Sequence, residues 1–205
     1  MMKRKLAFFL VVIFLVSMPV LAVDTSIELG MAYYNQGQLD KAKAEFKEAL
    51  KYSENRVRAY SNLALIAKQK DKMDKAVTYY QKALRLNPNS AANHISLADL
   101  YLKQEKYQKA IEEYSIVQNL TSHFIAEQKL GVLHYKLSNY NKAISYLQEV
   151  EKNENGTYIS YYYLAAAKRR LGNIKSAIKY YQQALELNPT YVKAYLGLGD
   201  TYLAN

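Results

Sequence analysis

From residue 23 onward the apolar positions fall at one-sided helical spacing. Over residues 57–90, Tyr60, Leu63, Ala64 and Ala67 stand at i, i+3, i+4 and i+7, and a second set runs Met73, Ala76, Val77, Tyr80, Ala83, Leu84. Each set places its apolar side chains on one face of a helix. Asn87-Pro88 closes the second set, and proline disfavours helix at the residue before it, so a helix pair ends there. Asn188-Pro189 gives the same signal later in the chain. The expectation is helix after helix, with no strand.

The pattern returns in register with a period of 34 residues. The copies are residues 23–56, 57–90, 91–123, 124–157 and 158–191, with the front half of a sixth at 192–205. Small residues recur where the first helix of a pair must approach the second: Gly30, Ala64, Ala98, Gly131, Ala165 and Gly199, answered by Ala42, Ala76, Ala110, Ala143 and Ala177. Aromatics recur as well, and Tyr33, Tyr60, Tyr80, Tyr101, Tyr114, Tyr161, Tyr181, Tyr195 and Tyr202 are read as core. Copy 91–123 is one residue short, and copy 124–157 puts Leu147 where an aromatic is usual, so the middle is degenerate. The weakest joints are expected near residues 119–124 or 152–157, the second because Asn155-Gly156 is a strong turn signal. Stacked pairs bury a continuous core that no single pair could cover, so residues 23–205 read as one elongated domain.

Residues such as Tyr60, Leu63, Ala64, Ala67, Ala76, Tyr80, Ala83 and Pro88, recurring in register, resemble the tetratricopeptide repeat (TPR). The resemblance implies an all-α fold, a right-handed α-solenoid of antiparallel helix pairs with about five and a half repeats. It also implies a concave groove lined by the first helix of each pair. By that resemblance Ile27, Met31, Tyr34, Leu65, Ile95, Leu102, Val132, Tyr135, Tyr162 and Tyr163 lie on the concave face. Lys68, Lys103, Lys136, Arg169 and Arg170, in the last turns of the first helices, form a basic rim. Such a strip suits an extended or helical segment of a protein or peptide partner carrying acidic groups. Adjacent anchors of this kind often dominate binding energy, and Tyr161-Tyr162-Tyr163 is the densest aromatic patch, the expected hot spot. The carboxylate clamp of chaperone-binding TPR proteins is missing: Asn62 alone matches in one frame and Lys193 alone in another.

The N-terminus reads as a signal peptide over residues 1–22. Lys3, Arg4 and Lys5 precede an apolar run from Leu6 to Val16, and Val20 and Ala22 suit cleavage after Ala22. An uncleaved anchor is the rival reading, because Leu6 to Val23 is 18 nearly apolar residues, close to the minimum for a span. In either case the repeats are expected in the periplasm or secreted, with membrane contact only through an uncleaved leader. The formal charge of +10 becomes +7 once the three leader cations are removed, and the remainder is scattered along every pair. That is the pattern of a solvated surface, and nucleic acid is not expected as a partner.

Chemistry finds no constellation. There is no cysteine, which excludes disulfides, thiol nucleophiles and a bacterial lipid-anchored terminus. His94, His123 and His134 have no metal-pair spacing, and His94 and His134 occupy aromatic places of the repeat, where packing is expected. Glu112 and Glu113 are adjacent and diverge on a helix. No enzyme, cofactor or metal is therefore expected. The leading expectation is a protein–protein interaction adaptor of the bacterial cell envelope. The alternative is the N-terminal targeting arm of a longer enzyme, such as a glycosyltransferase or peptidase, whose catalytic domain is absent.

Overall fold

The computed structural model describes residues 25–204 apart from Ser122; the leader expected at residues 1–22 lies outside them. The described residues hold eleven α-helices and no strand. Helix α1 spans 25–35; α2 is Leu39–Ala49, α3 Arg56–Gln69, α4 Met73–Leu86, α5 Ala91–Lys103 and α6 Tyr107–Leu120. Then follow α7 Phe124–Lys136, α8 Tyr140–Lys152, α9 Tyr158–Arg170, α10 Ile174–Leu187 and α11 Val192–Leu203. A single 3-10 turn, Ser53–Asn55, leads into α3. None of the described helices is long and apolar enough to cross a membrane.

The chain divides into two compact units, one ending at Leu100 and the other starting at Tyr101. In the first, Ile27, Ala42, Phe46, Ala49, Ala59, Leu63 and Ile66 form one apolar cluster. Phe46 is fully buried, a contribution of about 2 kcal/mol from desolvation alone. Its ring fills the space beside Gly30, where a Cβ would lie 2.5 Å from the ring. In the second unit, Ala143, Ile144, Leu147, Leu164 and Ala167 form one cluster, and Ala165, Ala177, Tyr181, Ala184 and Ala194 belong to another. Leu147, the departure from the aromatic pattern, is fully buried and takes the place Phe46 has in the first copy, 2.5 Å from where a Cβ of Gly131 would stand.

Both Asn-Pro signals end helices as their chemistry requires. Asn87 and Asn188 take extended conformations (φ −136°, ψ 88° and φ −142°, ψ 89°). Their side-chain carbonyls accept hydrogen bonds from the backbone N–H of Asn89 and Thr190, both at 3.2 Å. Turns within pairs use a different device, a left-handed residue at Gly37, Asp71, Glu105, Ser138 and Gly172. At 152–157 the left-handed residue is Glu154 (φ 58°), not Gly156. Gly156 instead makes room for the Tyr161 phenol, which a Cβ would meet at 2.5 Å. Thr157 then caps α9, its hydroxyl accepting from Ser160 N–H at 3.1 Å while Ser160 Oγ faces the Thr157 N–H at 2.7 Å.

Three expectations need correction. Ile27 is wholly buried in the first apolar cluster and lines no groove, since a side chain with no polar handle gains most from burial beside Phe46 and Leu63. Tyr195 and Tyr202 are not core: each is 54% exposed. The reason is that α11 packs on α10 and α9, and among the described residues no second helix of its own pair covers its other side.

Candidate protein-binding face

The second unit brings tyrosines from three successive first helices together. Tyr135 comes from α7, Tyr162 and Tyr163 from α9, and Tyr191 stands at the start of α11. The rings form a chain of contacts: Tyr135 to Tyr163 at 5.2 Å between centroids, Tyr163 to Tyr162 at 5.0 Å, and Tyr162 to Tyr191 at 5.3 Å. Tyr140 of α8 tilts against Tyr135 at 5.6 Å, Tyr181 of α10 against Tyr162 at 5.9 Å, and Tyr158 meets Tyr191 edge-on at 5.0 Å. Edge-to-face and tilted pairs at these separations suit the aromatic quadrupole. Tyr135, Tyr162, Tyr163 and Tyr191 are all half-buried.

Burial raises the pKa of the Tyr162 and Tyr163 phenols, and the neighbouring Tyr135 adds to it. The same burial pushes Tyr181 and Tyr191 up to about 12. All four therefore stay protonated at neutral pH and can donate hydrogen bonds.

Two guanidinium groups border the rings. Arg170 is exposed, and the phenol of Tyr135 beside it raises its pKa further. Arg169 is 28% exposed in its side chain and reaches Asp200 only at 3.8 Å. Its Nε is buried with no hydrogen-bond partner. That donor is a standing desolvation cost, relieved by any acceptor that reaches it.

The other expected site residues divide between the units. Lys136 holds its ammonium over the Tyr107 ring at 5.5 Å, and Lys103 is exposed at the end of α5. Tyr34 packs against the first apolar cluster, and Leu65 and Lys68 are half-buried. None of these three lines the cavity of about 390 Å³ that the first helices of the first unit do enclose. Its lining is mixed, with Met31, Val57 and Ala92 beside Arg58, Ser61 and Asn93; Ser61 Oγ donates to Asn93 Oδ1 at 2.8 Å, and Arg58 pairs with Glu28 at 3.1 Å. So of the ten expected residues the structure assembles Tyr135, Tyr162, Tyr163, Arg169 and Arg170. Tyr191 was missed, because it lies in the turn after Pro189; Tyr181, read as core, is buried behind Tyr162 as expected.

His94 and His134 are packed as expected. His94 Nε2 bonds with the Pro88 carbonyl at 2.8 Å, and His134 stacks on Tyr146 at 5.4 Å. Burial lowers the His134 pKa, with Lys142 adding to the effect. Among the described residues no group of His, Asp or Glu could hold a metal ion.

An array of helix pairs with a ring-lined first-helix face defines a helical repeat protein, one that presents surfaces built from successive repeats. Tetratricopeptide-repeat patterns match residues 27–91, 79–112 and 165–205, and the chain is a tetratricopeptide-repeat protein. Several solved structures share the fold. A tetratricopeptide repeat protein from Parabacteroides merdae is 21% identical, over 89% of this chain and 73% of that one, with a TM-score of 0.77. MamA is 22% identical, over 84% and 94%, with a TM-score of 0.72. YrrB, described as a TPR protein with an unusual peptide-binding site, is 23% identical, over 78% and 82%, with a TM-score of 0.68. No curated protein matches the sequence.

Proposed function

We propose that this protein is an exported scaffold of the bacterial cell envelope that holds an acidic segment of a partner protein on the first-helix face of its second unit. One observation carries the reading: the half-exposed row Tyr135, Tyr163, Tyr162 and Tyr191 lies beside Arg169, whose buried Nε has no partner. Neutral phenols and a guanidinium are donors only toward a carboxylate, and rigid rings give contact area at small entropic cost. The peptide-binding site named for YrrB supports a peptide ligand for this fold. The signal-like leader, Lys3 to Ala22, supports placement outside the cytoplasm.

The test is capture from envelope extracts with the purified repeat region and with its Tyr162→Ala, Arg169→Ala double variant, matched for helical content by circular dichroism. The wild type should retain a partner that the variant loses. Equal capture by both would sink the assignment of this face.

A further inference from the structure

The first unit has a second cavity, of about 330 Å³, on the side formed by α2, α3 and α4. Buried Leu63, Ile66 and Ala67 of α3 make its floor. Five lysines surround it: Lys43 from α2, Lys70 and Lys72 from the α3–α4 turn, and Lys75 and Lys82 from α4. Lys75, Tyr79 and Lys82 recur at one-turn spacing, so they share one face of α4. Asp40 is the one carboxylate among the lining residues; Asp71 of the adjoining turn and Asp74 in the first turn of α4 do not line it.

The repeat does not require these lysines. The same places in the fourth and fifth copies carry Ile144, Leu171, Asn173, Ser176 and Gln183 around the equivalent floor residues Leu164 and Ala167. At the other lining places those copies put Asn141 for Asp40, Lys168 for Ala67 and Lys179 for Thr78, so the surface is built twice, once with two lysines and once, far more cationic, with five beside one carboxylate. The cationic version already holds one anion of its own: Lys70 hydrogen-bonds to Asp40, and that contact, followed by the fields of Lys70, Lys43 and Lys72, keeps the Asp40 carboxyl below its usual range. Lys82 is positioned by the rings of Tyr60 and Tyr79, 5.6 and 5.9 Å from its ammonium.

The donor set indicates the ligand. Every lining cation is an ammonium, a point charge on a flexible stem, and none is a guanidinium whose fork would match a carboxylate. Converging ammonium groups suit a compact, multiply charged anion. The volume is that of a small-molecule pocket, and the apolar floor has room for a short organic body.

We infer that this cavity binds a phosphate-bearing ligand, with Lys43, Lys72, Lys75 and Lys82 meeting the phosphate and Leu63 and Ile66 underlying its organic part. A soluble organic phosphate and the headgroup of an anionic phospholipid share this chemistry. The inference is independent of the tyrosine face, since every residue involved lies in the first unit.

The experiment titrates the purified protein with glycerol phosphate and with pyrophosphate by calorimetry, and sediments it with phosphatidylglycerol and phosphatidylcholine vesicles. One variant, Lys72→Asn, Lys75→Ser, Lys82→Gln, installs the residues the fifth copy carries at these places. A second, Lys168→Asn, Lys175→Ser, Lys179→Gln, removes the same charge from the second unit. The first variant should bind at least about tenfold more weakly while the second binds as wild type. Binding to phosphatidylglycerol vesicles that soluble phosphates cannot displace assigns the headgroup; displacement or direct binding assigns a soluble phosphate. The inference is overturned if neither probe binds, if both variants weaken binding equally, or if a glutamate-rich peptide binds at this cavity where the phosphates do not.

Discussion

Gly197 of α11 stands against the ring of Tyr181 in α10, so close that a Cβ on Gly197 would lie 2.5 Å from Cζ. Tyr181 is 1% exposed and cannot swing aside, which makes this glycine the point where α11 seats on the array. Two residues on, Gly199 faces open space. Gly197→Ala should therefore lower stability by about 1–2 kcal/mol through overpacking. Gly199→Ala should raise it by up to about 1 kcal/mol through helix propensity. Urea midpoints at unchanged slope measure both, and equal effects from the two changes would refute the contact.

Five turns within helix pairs pass through a left-handed residue, and only Gly37 and Gly172 adopt it without a Cβ penalty. Asp71 (φ 54°), Glu105 (φ 57°) and Ser138 (φ 60°) carry that strain. Glu105→Gly and Ser138→Gly should each stabilise the protein by about 0.5–1 kcal/mol, and Gly172→Ala should destabilise it by at least as much. Thermal denaturation of the three single variants decides the matter; a loss of stability in both glycine variants would show that side-chain contacts outweigh the strain.

Much of the fold was legible because the repeat constrains it several times over. Ala64, Ala98 and Ala165 mark helix–helix approaches, and Leu147 could replace an aromatic because Gly131 left room for a branched side chain. The left-handed turns were harder to see, since Asp71, Glu105 and Ser138 carry no local signal, although Gly37 and Gly172 at the same repeat place could have revealed them. The site was half legible. Tyr162 and Arg169 follow from the repeat frame, whereas the part played by Tyr191 depends on how the chain turns after Pro189. Glu127 escaped notice because it occupies a place where other copies put Tyr60 or Tyr161. It is buried there, and that burial, with the field of Glu149 beside it, raises its pKa while His123 opposes the shift.

Stability should fall at alkaline pH through identifiable phenols. Burial pushes Tyr181 and Tyr191 up to about 12 from an ordinary 10.0. A phenol with a raised folded pKa holds its proton longer folded than unfolded, so its contribution is whole below pH 10 and is lost as pH rises through about 12. Melting temperature should decline across that window, and Tyr191→Phe should flatten the decline because phenylalanine keeps the ring and cannot ionise. An unchanged slope in Tyr191→Phe and Tyr181→Phe would assign the alkaline loss to other groups.

On the proposed function, Asp200 is the internal rival of an acidic ligand for Arg169. Their contact is long, 3.8 Å, and the Asp200 side chain is 61% exposed, so the pair itself should contribute well under about 1 kcal/mol. Asp200→Asn should leave the melting temperature nearly unchanged. It should nevertheless strengthen partner capture by several-fold, because it removes the internal carboxylate that faces the guanidinium. Arg169→Lys should not rescue what Arg169→Ala loses, since an ammonium has no Nε to fill the buried donor position. Affinity of the captured partner for the three variants, measured by surface plasmon resonance, separates this from a structural role: weaker binding by Asp200→Asn would mean that Asp200 positions Arg169 and does not compete for it.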